Sequence, residues 1–161
     1  MRLMGVDPGL NATGLGVIEI TGDSTAHVHH SVIRTRAADE LPSRISTIYE
    51  AVRIAAIEWG VAGAAVESSF VGNNARSAML LGHARAAAIL GLTAAGVPVA
   101  EYAPRLVKQS VTGYGAGDKS QVARMVAFQL GLTELPTPAD ASDALAIAIT
   151  HWAQSRLSAR L

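Results

Sequence analysis

Short apolar runs at the start of the chain alternate with turn-forming residues, a pattern that predicts β-strands. Three such runs cover residues 2–7, 14–20 and 27–34, and the turn signals Pro8-Gly9 and Gly22-Asp23 separate them. Because the connections are short, we expect successive strands to pair side by side as an antiparallel meander.

The pattern then changes to a helical period. Between residues 43 and 59, apolar side chains recur three or four positions apart, which predicts a helix with one buried face. Pro42 suits the first turn of this helix, and Gly60 suits its end. The rest of the chain is predicted to form strands at 63–67 and 97–102 and helices at 75–95, 104–111, 119–130 and 138–156.

The helices between the later strands indicate the fold class. A helix that connects two strands of one sheet normally makes a right-handed crossover, and the two strands then lie parallel. We therefore expect strands 63–67 and 97–102 to run parallel to strand 2–7. The predicted fold is α/β: a mixed five-stranded sheet flanked by helices, in one domain that covers residues 1–161.

The composition narrows the class of protein. Half of the 161 residues are hydrophobic, so the chain can bury a substantial core, and the lack of cysteine excludes disulfides and thiolate metal sites. We find no run of about 18 apolar residues with few charges, and so we expect no membrane-spanning helix and no contact with a membrane. The N-terminus lacks the pattern of a signal peptide, and a cytoplasmic protein is the expectation.

Charge is balanced over the whole chain but not along it. Lys and Arg number 13 and Asp and Glu number 13, whereas the stretch from Arg76 to Arg124 holds six basic residues and two acidic ones. A solvated surface often has such a bias, but a face that follows nucleic-acid phosphates requires it. Arg76 and Arg105, which lie in this stretch, are therefore candidate DNA-binding residues.

Four carboxylates occupy positions that can converge. Asp7 and Glu67 each end a predicted strand, and sites in such sheets gather where parallel strands end. Asp140 and Asp143 are three residues apart, which places both on one face of an otherwise apolar helix. The simpler explanation of Asp140 alone is an acidic residue at the third position of a helix whose N-cap is Thr137.

Four converging carboxylates repel one another unless a cation lies between them. Oxygen ligands without cysteine favour a hard cation such as Mg²⁺ or Mn²⁺. Two such ions about 4 Å apart activate water and stabilise the leaving oxygen in phosphodiester cleavage. The alternative is four unrelated acids, two of which cap helices.

Several longer segments, in their order along the chain, resemble the RuvC-type Holliday-junction resolvases. They are "MGVDPGLNATGLGVIE", "LPSRISTIYEAV", "VESSFVGNNARSAMLLGHARAAAI", "EYAPRLVKQSVTGYGAGDKSQV" and "DASDALAIAITHW". The resemblance implies a ribonuclease-H-like fold and a metal-dependent endonuclease of recombination and DNA repair. Such an enzyme nicks two strands of like polarity in a four-way DNA junction and leaves 5′-phosphate and 3′-hydroxyl ends.

The resemblance also implies roles for individual residues. The matching acidic metal ligands are Asp7, Glu67, Asp140 and Asp143, with two Mg²⁺ ions per subunit that Mn²⁺ can replace. Lys108 and Lys119 match lysines of DNA binding and catalysis; without the motif they would count as surface lysines. Phe70 matches a residue that stacks on a base near the opened junction, whereas a core position is the usual place for phenylalanine.

The resemblance further implies partners. The family acts as a homodimer, and the apolar helix at 75–95, which includes Leu81, is the candidate contact surface; packing in the core alone also explains that composition. RuvA and RuvB, the branch-migration proteins, are implied partners as well.

Two other classes remain open. An actin-like ATPase or sugar kinase also begins with a strand-end Asp, a Gly and a hairpin, but it needs two such domains. A non-catalytic DNA-binding module would not need all four acids.

Overall fold

The computed structural model of the protein describes residues 1–68, 74–115 and 118–158. Within these ranges, one mixed sheet contains β1 (Arg2–Asp7), β2 (Ala12–Thr21), β3 (Ser24–Arg34), β4 (Val61–Glu67) and β5 (Val99–Tyr102). The helices are α1 (Leu41–Glu58), α2 (Ala75–Ala94), α3 (Pro104–Thr112), α4 (Lys119–Gln129) and α5 (Ala139–Ser158).

The strand order is β3-β2-β1-β4-β5, with β1 at the centre. β2 pairs antiparallel with β1 and with β3, whereas β4 pairs parallel with β1 and with β5. The predicted meander and the predicted parallel strands are therefore confirmed. Because β1 and β4 run in the same direction, their last residues, Asp7 and Glu67, lie at the same edge of the sheet.

Both faces of the sheet are covered. One apolar cluster packs α1 and α2 against one face, and a second cluster packs α3, α4 and α5 against the other. Two-sided burial explains why β1 and β4 read as continuous apolar runs rather than as alternating ones.

Three glycines let α5 lie directly on the sheet. A Cβ on Gly5 would lie 2.0 Å from the carbonyl oxygen of Ala144, and one on Gly14 would lie 1.9 Å from the carbonyl oxygen of Asp140. On Gly16, a Cβ would lie 2.6 Å from the amide nitrogen of Leu145. Only glycine permits so close an approach of two backbones. The start of α5 is thereby held over β1 and β2.

The start of α5 differs from the prediction. The helix begins at Ala139, because the amide of Ser142 donates to the carbonyl of Pro138 in the first helical hydrogen bond. Pro138 therefore stands at the cap, one position later than the cap predicted at Thr137. Asp140 moves to the second helical position, still within the first turn.

The expectation that no segment is apolar enough to span a membrane is wrong for α2. By length and composition alone, Ala75–Ala94 meets that criterion in the described part of the chain. The helix packs instead against the core, and its buried residues are Ala84, Ala87, Ala88, Gly91 and Leu92. Packing therefore explains the apolar residues on the buried face of α2.

Candidate active site

A cavity of about 230 Å³ opens at the edge of the sheet where β1 and β4 end. Asp7 and Glu67 line it from the sheet, Asp143 lines it from α5, and two lysines, Lys108 on α3 and Lys119 on α4, complete the polar lining. Its apolar wall is formed by Pro104, Val107, Val122 and Ala146. Five of the residues singled out in the sequence thus meet in one place.

Asp7 is the most strongly perturbed group of the cavity. The pKa of its carboxyl group is raised from 3.8 to about 7, and burial at the end of the central strand is the largest cause. The negative charges of Glu67, Asp143 and Asp140 contribute to this rise, and the ammonium of Lys119 opposes it. A cation bound beside Asp7 would stabilise the ionised form of this carboxyl group, because its positive charge offsets the burial and the repulsion.

Glu67 shows the same effect from the neighbouring strand. Burial raises the pKa of its carboxyl group, and the charge of Asp143 adds to the rise. The ammonium groups of Lys119 and Lys108 act in the opposite direction. Both lysines therefore act electrostatically on the acidic residues.

Lys119 pairs directly with an acid of the cavity. Its Nζ donates to Oδ2 of Asp143 over 3.1 Å, and this hydrogen bond is the largest cause of the raised pKa of the Lys119 ammonium. Asp118 and Gln121 form a capping box at the start of α4, which orients the first residue of that helix. Local sequence thus positions a lysine that contacts an acid 24 residues later.

Asp140 does not line the cavity with the other three acids. It lies one helical turn before Asp143 on α5, half-buried, and its charge still raises the pKa of Asp7. The four predicted ligands therefore form one electrostatic group, in which Asp140 stands at the margin.

The residues fit a hard divalent cation. Every acidic donor at the cavity is a carboxylate oxygen, and burial and mutual repulsion penalise the charge of Asp7 and Glu67. Among the described residues, no three His, Asp or Glu side chains lie close enough to form a preformed metal cage. The ammonium of Lys119, paired with Asp143, supplies the positive charge instead.

Of the remaining predicted site residues, the two that the structure describes lie outside the acidic cavity. Phe70 falls outside the described residues. Arg76 is exposed on the first turn of α2. Arg105 is exposed on α3 and lines a separate cavity of about 290 Å³ with Gln109 and Tyr114. Neither arginine lines the acidic cavity.

Sequence reasoning missed the residues that hold the loop after Asp7. The Thr13 hydroxyl donates to the carbonyl of Gly9 over 2.8 Å and closes the turn. Arg44 of α1 donates to the side chains of Asn11 and Thr35. A signal existed for Arg44, because it lies four residues before Ile48, on the buried face of its helix.

Comparison with known families and proteins identifies relatives over nearly the whole chain. The family model described as "Crossover junction endodeoxyribonuclease RuvC" matches residues 3–151. The protein of that name from Syntrophomonas wolfei is 40% identical over 161 residues, which are 100% of this chain and 94% of the relative. The protein of the same name from Burkholderia thailandensis is 49% identical over 151 residues, which are 94% of this chain and 83% of the relative.

A solved structure has the same fold. The Thermus thermophilus RuvC in complex with a Holliday junction substrate superposes with a TM-score of 0.93 at 35% identity, covering 98% of this chain and 96% of that one. The expected ribonuclease-H-like architecture is thereby confirmed.

Proposed function

The chain belongs to the RuvC family of crossover junction endodeoxyribonucleases, and we propose that it resolves four-way DNA junctions in recombination and repair. The nucleases of this family are metal-dependent. The proposed reaction is a pair of symmetric nicks in strands of like polarity, leaving 5′-phosphate and 3′-hydroxyl ends that can be ligated. The protein is proposed to act in the cytoplasm, as one domain over residues 1–161.

The observation that carries this proposal is the shared cavity of carboxylates and lysines at the ends of β1 and β4. Asp7, Glu67 and Asp143 would hold Mg²⁺, with Asp140 as a fourth ligand, and we propose two ions per subunit that Mn²⁺ can replace. When bound, such ions activate water and stabilise the leaving oxygen of a phosphodiester.

The side chains around these ligands have separate roles. Lys119 and Lys108 extend into the same cavity and can each donate hydrogen bonds to a phosphate oxygen, where they would offset charge in the transition state. Substrate phosphate would draw Lys119 from Asp143 and leave that carboxylate free for a cation. Phe70 is proposed to stack on a base at the opened junction, and Arg76 and Arg105 to contact the DNA backbone.

We propose that two copies of the chain supply the two sites that paired nicks require. A two-fold dimer uses the same surface on both subunits. On α2, the side chains of Met79 and Leu90 are 65% and 59% exposed, and between them lie the small exposed residues Gly82 and Ala86. Leu81 is half-buried, so Leu90 is the better candidate for the contact.

The proposed function is tested with a labelled four-way junction and Mg²⁺ or Mn²⁺. Nicks are mapped on all four strands, with a linear duplex of the same sequence as the control. Paired nicks at symmetric positions in two like strands are expected, with little cleavage of the duplex. Equal cleavage of duplex and junction would contradict the proposal, and so would nucleotide hydrolysis without DNA cleavage. Added RuvA and RuvB test the proposed partnership through a change in cleavage position or rate.

A further inference from the structure

Arg44 is a buried cation without a carboxylate partner. Its residue is 8% exposed, and its side chain donates to the hydroxyl of Thr35 over 2.8 Å and to the amide oxygen of Asn11. No carboxylate of the described residues lies within 4 Å of its guanidinium. Asp39 pairs with Arg36 instead. A buried charge with only neutral partners is costly, which favours an anion beside it.

A cavity lies beside Arg44. Arg44 lines a space of about 220 Å³ together with Leu10, Asn11, Ser77, Leu80 and Leu81. The two hydrogen bonds of Arg44 use its Nε and Nη2 atoms. Its Nη1 atom carries further N–H donors. An anion in this cavity can therefore receive a charge-assisted hydrogen bond.

Two helix N-termini add to the positive potential. Arg44 lies in the first turn of α1 and Ser77 in the first turn of α2, and neither helix has an acidic residue there. Helices of 18 and 20 residues carry a partial positive charge at this end. Acidic residues usually occupy such turns; here the nearest one on α1 is the N-cap residue Glu40, which is exposed and makes no side-chain cap hydrogen bond.

The position of the cavity indicates what the anion belongs to. Leu10 and Asn11 lie in the loop that follows Asp7, at the same edge of the sheet as the acidic cavity. We propose that this cavity binds a phosphodiester of the DNA backbone, away from the phosphate that is cut. This rests on the proposed function, because a nuclease substrate brings several backbone phosphates to that edge.

The decisive variant places a carboxylate in the cavity. Arg44→Gln would also release Asn11 and Thr35 and so confuse folding with binding. Ser77→Asp leaves those contacts in place and offers Arg44 an internal anion. Ser43→Asp is the matched control, since Ser43 holds the equivalent third position of α1, is exposed, and does not line the cavity. Both variants add one charge in the first turn of a helix.

Two measurements on the full-length protein test the proposal. Melting temperature is recorded with inorganic phosphate and with chloride at equal ionic strength. Junction affinity is recorded in EDTA across a salt series. We expect Ser77→Asp to melt above Ser43→Asp, to lose the phosphate-induced rise, and to reduce the salt slope of binding by about one unit. The slope of Ser43→Asp should equal that of the wild type.

Failure of the anion site and failure of the proposed function give different results. An unchanged salt slope in Ser77→Asp overturns the DNA-binding subsite, even where the wild type cleaves junctions normally. A lost phosphate response with an unchanged slope assigns the cavity to free phosphate and overturns the DNA assignment too. If the wild type fails to cleave junctions, the proposed function fails, and an equal phosphate response in wild type and Ser77→Asp then overturns the anion site separately.

Discussion

Nζ of Lys119 lies 3.1 Å from Oδ2 of Asp143 and places a positive charge among the carboxylates of the acidic cavity. The contact joins the first turn of α4 to α5, and the positive charge of Lys119 lowers the pKa of Asp7 and of Glu67. Lys119 therefore limits the repulsion of the metal-free site and, in the proposed reaction, faces the substrate phosphate.

The first prediction concerns this lysine. Lys119→Gln should slow junction cleavage by about 100-fold or more, because it removes a cation from the site where charge develops. Lys119→Arg keeps the charge and is the matched control, with a smaller loss expected. Single-turnover cleavage rates at saturating Mg²⁺ measure the effect. Equal rates for wild type and Lys119→Gln would show that this ammonium takes no part in the reaction.

The second prediction concerns pH and Asp7. Its folded-state pKa of about 7 exceeds the ordinary value of 3.8, so the folded state binds a proton that the unfolded chain has lost. The metal-free protein should lose stability as the pH rises from about 4 to above 7. Asp7→Asn removes this loss, and so it should melt above the wild type at pH 8 but not at pH 4.

The same variant tests cation binding. Mg²⁺ should raise the melting temperature of the wild type at pH 8 and that of Asp7→Asn far less, while cleavage by Asp7→Asn is abolished. Asp39→Asn, at an exposed ion pair distant in sequence from the cavity, should behave as the wild type. Normal cleavage by a folded Asp7→Asn protein would contradict the assignment of Asp7 as a ligand.

The third prediction concerns the contact between α5 and the sheet. Gly14→Ala should destabilise the protein by about 3 kcal/mol and reduce cleavage, because the new methyl group meets the backbone of Asp140. Gly63→Ala in β4 is the control, since its methyl group meets only the side chains of Leu3 and His151. Chemical denaturation measures both. A Gly14→Ala protein as stable as Gly63→Ala would refute the close backbone contact.

The fourth prediction concerns the proposed dimer. Leu90→Glu should convert the protein to a folded monomer that no longer makes paired nicks. Ile57→Glu on α1 is the control, because Ile57 is 56% exposed, comparable with 59% for Leu90. Light scattering gives the mass and circular dichroism the fold. If both variants remain dimeric, the subunits meet at another surface.

The fifth prediction concerns Phe70, which lies outside the described residues. Phe70→Ala should lower junction cleavage and change the melting temperature little, as expected for a side chain that stacks on a base. A phenylalanine in the core would instead cost about 3–5 kcal/mol when truncated. Chemical denaturation alongside the cleavage assay distinguishes the two roles.

The sequence predicted what depends on local pattern. The strand ends at Asp7 and Glu67 followed from apolar runs and crossover helices, and the parallel pairing of β1 with β4 confirms that they share an edge. The pairing of Lys119 with Asp143 joins residues distant in the chain, and no periodicity reports such a contact. The start of α5 was one residue in error, because the carbonyl of Pro138 accepts the first helical hydrogen bond and Ala139 is the first helical residue.

The direct contact of α5 with β1 and β2 has a consequence for how sequences with this fold diverge. Where Gly5 and Gly14 meet the helix, main chain rests on main chain, so the separation does not depend on the size of any side chain. Apolar residues on the opposite face can exchange volume with one another without moving the acids of α5 relative to Asp7. Core residues can therefore change in sequence while the acids keep their positions relative to one another, provided that these glycines remain.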